Sequence, residues 1–235
     1  MNVLYKFIGK PGQVYELKFN YKCEFNGTDN KCNLEQGTED IIKGKYKERP
    51  SEKQISQANK QSISIFDKSS EEEIQAIDDL TAESDPINEY IYSNDKESDF
   101  DEHQIERIRE KIFLIDNVMK KAKLPSDMTV FRGVSEKEFN IISKQGDKES
   151  FTMRGYKSTT IDQDVAEAFS ESDTKGKNLF CKIHAPKGSE VLAITPEWSR
   201  SRGESEFLIN RGTSYKINKI EETDSARIID ITILG

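Results

Sequence analysis

Apolar residues recur at helical spacing along the segment DEHQIERIREKIFLIDNVMKKAK. They advance in steps of three and four residues, which places them on one stripe of an α-helix: Ile105, Ile108, Ile112, Ile115, Met119 and Ala122. A second helical pattern starts at SSEEEIQAIDDLTAESDPINEYIYS, where Ser69 and Ser70 are candidate caps followed by glutamates. The sequence therefore predicts a helical region that begins near Ser69 and ends before LPSD.

After LPSD the pattern changes to short strands. Eight segments alternate apolar and polar residues or form brief apolar runs, as strands do: MTVFRG, ESFTMRG, YKSTT, NLFCKIHA, SEVLAI, EFLIN, SYKINKI and ARIIDITIL. One short helix, DQDVAEAFS, interrupts them. Because helices come first and strands follow, we predict an α+β domain with a largely antiparallel sheet. The absence of a G-x-G-x-x-G motif after a strand argues against a Rossmann domain.

The first part of the chain has a different pattern. In YELKFNYKCEF apolar and polar residues alternate, and NGTDN is typical of a turn. This pattern predicts short strands and turns over residues 1–50, followed by the polar stretch KGKYKERPSEKQ. We assign residues 1–60 to an N-terminal extension of unknown role and residues 61–235 to a second domain. Cys23 and Cys32 flank the turn and could pair in an oxidising medium, which thiol titration with and without reductant would test.

Composition narrows the classes of function. The 235 residues are 33% charged with a net charge of -8, which argues against coating nucleic acid by charge alone. No apolar run approaches the roughly 20 residues of a membrane span, and MNVLYKFIGKPGQVYELKFN lacks the apolar core of a signal peptide. Three cysteines without C-x-x-C and two histidines do not make a zinc site. We expect a soluble protein without a classical signal peptide, a membrane span or a metal.

Two glutamates, Glu204 and Glu206, mark the start of the apolar run in RGESEFLIN. Strand side chains repeat with period two, so both carboxylates would point to one face, roughly 7 Å apart along the strand at a rise of about 3.3 Å per residue. A solvated strand entrance is the simpler explanation for an isolated E-x-E.

Other polar residues in the strand region share this ambiguity. Arg132 ends an apolar strand and is followed by Gly133, so a guanidinium suited to phosphate recognition lies beside backbone without a Cβ. Ser158, Thr159 and Thr160 end another strand before an aspartate-initiated helix, where hydroxyls also serve as caps. Taken singly, each of these is a weak signal.

In order, VFRG, GYKSTT followed by DVAEAF, and GESEFLINRGTSYKI resemble the R-S-E class of ADP-ribosyltransferases, with the E-x-E variant of the final motif. The helical lead-in INEYIY to MTVFRGV also looks like the helical part of that family's catalytic domain. The resemblance covers roughly residues 65–235. It implies the ADP-ribosyltransferase fold, in which N-terminal helices pack on a mixed, mainly antiparallel two-sheet core, and it implies NAD as substrate.

The resemblance also implies roles for the motif residues. Arg132 would bind the phosphates of NAD, and Glu206 would hold the ribose 2′-hydroxyl and stabilise the oxocarbenium-like transition state. Ser158 would hydrogen-bond Glu206, while Thr159 and Thr160 would line the floor of the nicotinamide pocket. Thr160 stands where the family usually has serine, which keeps the hydroxyl. With Gly133 beside Arg132, these residues form the implied cofactor site.

Glu204 would meet the acceptor, because in the family a glutamate here goes with arginine as the modified residue. The loop TPEWSRSRGE looks like the family's substrate-recognition loop, and Trp198, the chain's single tryptophan, either contacts the target or folds back onto the loop. Phe169 either covers the nicotinamide or is a core residue. Tyr92 stands near the place of an arginine that often helps to bind the cofactor, so affinity is either lower or supplied by another lysine or arginine.

We therefore expect a mono-ADP-ribosyltransferase that modifies an arginine of a target protein, as a toxin or viral effector acting in the cytoplasm of a target cell after delivery. Two alternatives remain open. One is an enzyme of the same fold that hydrolyses NAD or uses another acceptor, including nucleic acid. The other is a catalytically silent binding module, against which the complete set of Arg132, Ser158, Glu204 and Glu206 argues.

Overall fold

A computed structural model describes the backbone of four strands near the N-terminus and, beyond them, residues 49–93, 100–146, 148–194 and 205–235. The chain divides into two compact units, Met1–Arg49 and Pro50–Gly235. The division comes earlier in the chain than the boundary we placed at residue 60, which falls inside a helix of the second unit.

The first unit is a small antiparallel sheet. Its strands are β1 (Asn2–Ile8), β2 (Val14–Asn26), β3 (Asp29–Leu34) and β4 (Ile42–Lys43), and β2 pairs with the other three. The prediction of strands on either side of the NGTDN turn is confirmed, although β2, with 13 residues, is longer than the short strands that were expected. The β2–β3 register places Cys23 opposite Cys32, and their disulfide stays a prediction.

Four helices open the second unit: α1 (Glu52–Phe66), α2 (Glu71–Ala82), α3 (Asp85–Tyr92) and α4 (Glu102–Met119). Capping boxes fix the beginnings of α1, α2 and α4, where Ser51, Ser70 and Asp101 each cap the helix. Helix α4 is the strongly periodic helix predicted from the sequence. Within the described part of the chain, no helix is both long enough and apolar enough to cross a membrane.

Two helices were not predicted. The predicted helical region began near Ser69 and so left out α1, whose buried stripe contains Ser62, a polar residue that accepts a hydrogen bond from the amide of Ala193 at 3.0 Å. The expectation of one short helix among the strands was also wrong. Helix α5 (Glu136–Ser143) precedes the predicted helix, α6 (Gln163–Ala168), and its two buried residues gave too short a pattern to recognise.

All eight predicted strands are present: β5 (Met128–Gly133), β6 (Phe151–Met153), β7 (Lys157–Thr160), β8 (Asn178–Ala185), β9 (Val191–Ile194), β10 (Glu206–Ile209), β11 (Thr213–Glu222) and β12 (Ala226–Leu234). They form one mixed sheet in the order β6-β11-β12-β8-β5-β7-β10-β9. Only the β8–β12 pair is parallel among these described strands, so the α+β prediction with a mainly antiparallel sheet is confirmed.

The sheet is weakly joined at its middle. In the described register β5 and β7 share one residue pair, Phe131 opposite Thr160, whereas β5 and β8 share six. This single pair divides the sheet into a five-stranded part, β6-β11-β12-β8-β5, and a three-stranded part, β7-β10-β9. The two parts correspond to the two-sheet core that was expected. Strands that diverge from a single pair leave space between their ends, and this junction positions the candidate site.

Two main clusters of buried side chains hold the helices against these parts. In one cluster, residues of α1 and α5 pack on strands of both parts of the sheet. In the other, all four N-terminal helices pack on β9 and β10 of the three-stranded part. Strand β10 is buried along its whole length because both clusters use it, Phe207 and Ile209 in the first and Leu208 in the second. The strand that carries Glu206 is therefore fixed from both sides.

Candidate active site

One cavity of about 320 Å³ lies where the two parts of the sheet diverge. Arg132, Ser158 and Glu206 reach it from β5, β7 and β10, which are neighbours in the sheet although their motifs are far apart in the chain. The other lining residues come from the same strands and from helices α2 and α6 and their ends: Thr81, Phe131, Gly133, Thr159, Thr160, Val165, Ala166 and Phe169. The three predicted motifs thus converge on a single concave site.

Arg132 is held by two fixed acceptors. Its Nη1 donates to the main-chain oxygen of Ser158 at 2.9 Å, and its Nη2 lies 3.4 Å from Glu138 Oε2 on α5. The side chain keeps 25% of its exposure. A guanidinium anchored in this way presents its remaining donor capacity in a defined direction, which suits recognition of phosphate.

Gly133 allows helix α6 to approach strand β5. A Cβ at this position would lie 2.3 Å from the main-chain oxygen of Ala166 and 2.7 Å from the main-chain carbon of Phe169. These distances leave no space for a side chain of any kind. Gly133 therefore sets how closely the end of α6, with Phe169, covers the cavity.

The three hydroxyl residues that end β7, Ser158, Thr159 and Thr160, differ in their hydrogen-bond partners. Thr159 donates to the main-chain oxygen of Phe207 and so fastens β7 to β10, while Thr160 Oγ1 accepts from the amide of Asp162 at 3.1 Å at the start of α6. Ser158, by contrast, is exposed. Both threonines line the cavity, but their hydroxyls already have structural partners, so Ser158 has the more accessible hydroxyl.

Glu206 is a buried carboxylate, with 6% of its surface exposed. The β7–β10 register places Thr160 directly opposite Glu206, and Ser158 lies opposite Leu208, two residues further along. Ser158 is therefore a diagonal neighbour of Glu206, and the hydrogen bond between their side chains stays a prediction. A carboxylate in a partly enclosed cavity stabilises a positive charge that develops beside it.

Phe169 is 67% exposed at the edge of this cavity. The alternative that it is a core residue is therefore wrong. An aromatic ring left in solvent beside a concave site is available to cover a planar ligand.

Two predicted residues lie outside the described residues. They are Trp198 and Glu204, which belong to the loop TPEWSRSRGE, all of which lies outside the described residues; strand β10 begins at Glu206. Their expected roles, contact with a protein target and activation of the acceptor, stay predictions.

Sequence reasoning missed a second cavity, of about 790 Å³, that shares Arg132 with the first. It is lined in part by Tyr92, Glu138 and Lys157. Lys157 Nζ donates to Glu138 Oε1 at 3.0 Å and to the hydroxyl of Tyr92 at 2.7 Å. The available signals were a lysine inside the strand YKSTT and a glutamate on α5, and neither is specific.

The charges in this second cavity are coupled. Burial raises the pKa of Glu138. The charges of Arg132 and Lys157, and the hydrogen bonds that these two residues donate, lower the pKa by more than burial raises it, so it lies below its ordinary value. Glu138 is therefore ionised at neutral pH. Within the described residues, no group of three or more histidine, cysteine, aspartate or glutamate side chains is arranged to hold a metal ion.

Comparison with known proteins bears on this geometry. The family model of the ADP-ribosyltransferase exoenzymes matches residues 43–234. A curated relative, NAD(+)--arginine ADP-ribosyltransferase EFV of Enterococcus faecalis (strain ATCC 700802 / V583), is 28% identical over 165 residues, which are 70% of this chain and 31% of the relative. This chain thus spans about a third of the relative's length.

Solved structures agree with the family match. Plx2a, an ADP-ribosyltransferase toxin from Paenibacillus larvae, is 25% identical and has a TM-score of 0.60 over 78% of this chain and 96% of that chain. C3stau2 from S. aureus, crystallised with NAD, has a TM-score of 0.58 at 21% identity over 77% and 95% of the two chains, which is a likeness of fold. Because the family model covers most of the sequence, including all the described helices and strands of the second unit, the chain belongs to the ADP-ribosyltransferase exoenzyme family.

Proposed function

We propose that this protein transfers ADP-ribose from NAD to an arginine of a target protein and releases nicotinamide. The observation that carries the proposal is the single cavity into which Arg132, Ser158 and Glu206 reach from three adjacent strands. The name of the Enterococcus relative, an NAD-arginine ADP-ribosyltransferase, supports both the donor and the acceptor.

Arg132 would bind the pyrophosphate of NAD. Its guanidinium is anchored by the Ser158 carbonyl and by Glu138 at the boundary between the two cavities, so a dinucleotide held there can extend into both. The nicotinamide end would then lie in the smaller cavity near Glu206, beneath Phe169. NAD is a substrate in this scheme, and no metal takes part in it.

Cleavage of the glycosidic bond leaves positive charge on the ribose, and the electron pair of the broken bond departs with nicotinamide. Glu206 is the carboxylate that would stabilise this oxocarbenium-like state, as carboxylates do in glycoside hydrolysis. Its burial strengthens the interaction because water screens the two charges less. Ser158, diagonal to Glu206 across the strand pair, would orient it.

Glu204 would select arginine. A carboxylate near the ribose carbon can pair with an incoming guanidinium and take its proton as the new carbon–nitrogen bond forms. The acceptor loop with Trp198 would contact the protein that carries the arginine. Such an enzyme acts inside the cell that contains its target, so we propose a toxin that works in the cytoplasm of a target cell after delivery.

The test is nicotinamide release from NAD with and without agmatine, a small guanidine, with the adduct measured by mass spectrometry. Wild-type protein should form ADP-ribosyl-agmatine, and Glu206→Ala should not. The control Glu221→Ala replaces a half-buried glutamate on β11 outside both cavities and should match wild type. Nicotinamide release without an adduct would instead indicate a hydrolase or another acceptor. No turnover and no NAD binding would indicate a silent binding module.

A further inference from the structure

Lys157 is a charged residue in an unusually buried position. Its side chain is 7% exposed, although it directly precedes the exposed Ser158. Its ammonium group donates to Glu138 and Tyr92 and lies 5.2 Å from the centre of the Tyr92 ring. Lysine is seldom buried unless it is paired, because removing its charge from water is costly.

Glu138 is shared between two cations. Oε1 accepts from Lys157 at 3.0 Å, while Oε2 lies 3.4 Å from Arg132 Nη2. The longer distance belongs to the guanidinium, so the carboxylate is paired more closely with the lysine. Two cations and one carboxylate leave one positive charge in this group.

The position of this charge matters because Arg132 lies at the boundary between the two cavities. If Glu138 had Arg132 as its sole cationic partner, the carboxylate would cancel the charge of the guanidinium and compete with an incoming anion for its hydrogen bonds. Lys157 removes that competition by pairing with the other carboxylate oxygen of Glu138, Oε1.

We propose that Lys157 is a positioning residue for the phosphates of NAD: by neutralising Glu138 it leaves the Arg132 guanidinium with an unbalanced positive charge that faces the cavities. The inference rests on the proposed function. It assigns Lys157 a role through Glu138 and Arg132 and needs no contact between the lysine and NAD.

The first test is Lys157→Met, which keeps the unbranched shape and most of the length of the side chain and removes its charge. Because a phosphate contact is made in both the ground state and the transition state, the loss should appear in KM. We expect KM for NAD to rise about tenfold while kcat changes less than about threefold. The control is Lys182→Met, which removes a half-buried lysine paired with Asp230 elsewhere in the sheet and should leave both constants unchanged.

The second test is the double variant Glu138→Gln with Lys157→Met. It removes one negative and one positive charge, so the group again carries one positive charge, on Arg132. We expect its KM to return to within about threefold of wild type. A double variant as weak as Lys157→Met would overturn the proposal, because it would mean that the lysine itself contacts NAD. An unchanged KM in Lys157→Met would also overturn it, by showing that the ion pair is structural.

Folding and the underlying activity are controlled separately. Thermal unfolding of each variant shows whether it is folded. If Lys157→Met does not fold, the test rests on the double variant and on Lys157→Arg, which keeps the charge. The KM of each for NAD should then lie within about threefold of the wild-type value. Failure of the proposed function has a different signature. In that case wild-type protein neither binds NAD by calorimetry nor releases nicotinamide, whereas failure of the Lys157 proposal leaves wild-type activity intact.

Discussion

Arg132 Nη1 donates to the main-chain oxygen of Ser158 at 2.9 Å, so two of the predicted catalytic residues are joined through the backbone of one and the side chain of the other. The contact spans the point where β5 and β7 share their single residue pair. The guanidinium thus depends on the course of strand β7 and is independent of the Ser158 side chain.

Arg132→Lys should therefore be severe although it conserves charge. An ammonium group cannot reproduce the planar fork that reaches the Ser158 carbonyl, Glu138 and a phosphate together. We expect kcat/KM for nicotinamide release to fall by about 100-fold or more with little change in the unfolding midpoint. Ser158→Ala is the matched variant, since it keeps the carbonyl, and its loss should be smaller. Equal losses would show that the serine hydroxyl matters as much as the guanidinium.

Glu204→Gln should separate transfer from NAD cleavage. If Glu204 takes the proton of the acceptor guanidine, transfer to agmatine should fall by about 100-fold, the lower range for loss of a general base. Nicotinamide release without an acceptor should fall much less, because Glu206 still stabilises the ribose cation. Both rates are measured on one preparation, and Glu206→Gln should lose both. Parallel loss of the two rates in Glu204→Gln would contradict the role assigned to Glu204.

The sequence predicted the regular elements where patterning was strong. Strand β8 coincides with the segment NLFCKIHA, whose alternation Leu179, Cys181 and Ile183 is buried in one core cluster. Helix α4 was recognised from its apolar stripe. Helices α1 and α5 were missed because one uses a buried serine, Ser62, and the other has only Phe139 and Ile142 to bury. As for most helices of globular proteins, packing against the rest of the fold supplies most of the stability of these two helices.

The candidate site could be predicted only in part. The order of Arg132, Ser158 and Glu206 carried enough family resemblance to place them in one site, which the cavity at the β5–β7 junction now contains. The Lys157–Glu138 pair could not be predicted, because it joins a strand to a helix whose existence was not apparent from the sequence. Contacts of this kind depend on how elements pack, and local patterns do not encode them.

Gly133→Ala should push helix α6 away from strand β5 without replacing any polar residue of the site. A Cβ would meet the main-chain oxygen of Ala166 at 2.3 Å, so β5 and α6 would have to separate. We expect the free energy of unfolding to fall by about 1–3 kcal/mol, as for overpacked positions, and nicotinamide release to fall as Phe169 moves away. Chemical denaturation and the NAD assay measure these effects. The control is Gly146→Ala, where the nearest atom is at 3.3 Å; a similar loss in both variants would refute the close-packing argument.

Acid should weaken the fold through Asp116 on α4. Burial raises the pKa of Asp116. Hydrogen bonds from Arg211 and Tyr156, together with the charge of Arg211, lower the pKa by more than burial raises it, so it lies below its ordinary value. A carboxyl group whose pKa is lower in the folded state stabilises the fold above its unfolded pKa of about 3.9, and the stabilisation is lost as pH falls through the folded pKa.

The free energy of unfolding should therefore decrease from about pH 5 toward pH 3, and Asp116→Asn should reduce that slope. Arg211→Met removes the same ion pair from the other side and should reduce the slope as well. Denaturation curves at a series of pH values measure both effects. A slope in Asp116→Asn equal to that of wild type would assign the acid sensitivity to other carboxylates, such as Asp230, whose pKa is also lowered.

Deletion of residues 1–49 should preserve both the fold of the second unit and the proposed activity. The described core clusters and both cavities that meet at Arg132 consist of residues from the second unit, Pro50–Gly235. The truncated chain begins just before Ser51, so it keeps the residue that caps α1. We expect cooperative thermal unfolding and nicotinamide release within about twofold of the full chain, since the residues that fix the site are retained.

Modification of a protein target distinguishes the remaining roles of the first unit. If the truncated protein modifies agmatine at the full rate but no longer modifies its protein target, the unit serves to select or reach that target. If both rates are preserved, it acts outside catalysis, for instance in delivery. Loss of cooperative unfolding would contradict the prediction, because it would mean that the small sheet formed by β1 to β4 completes the catalytic fold although the chain divides after Arg49.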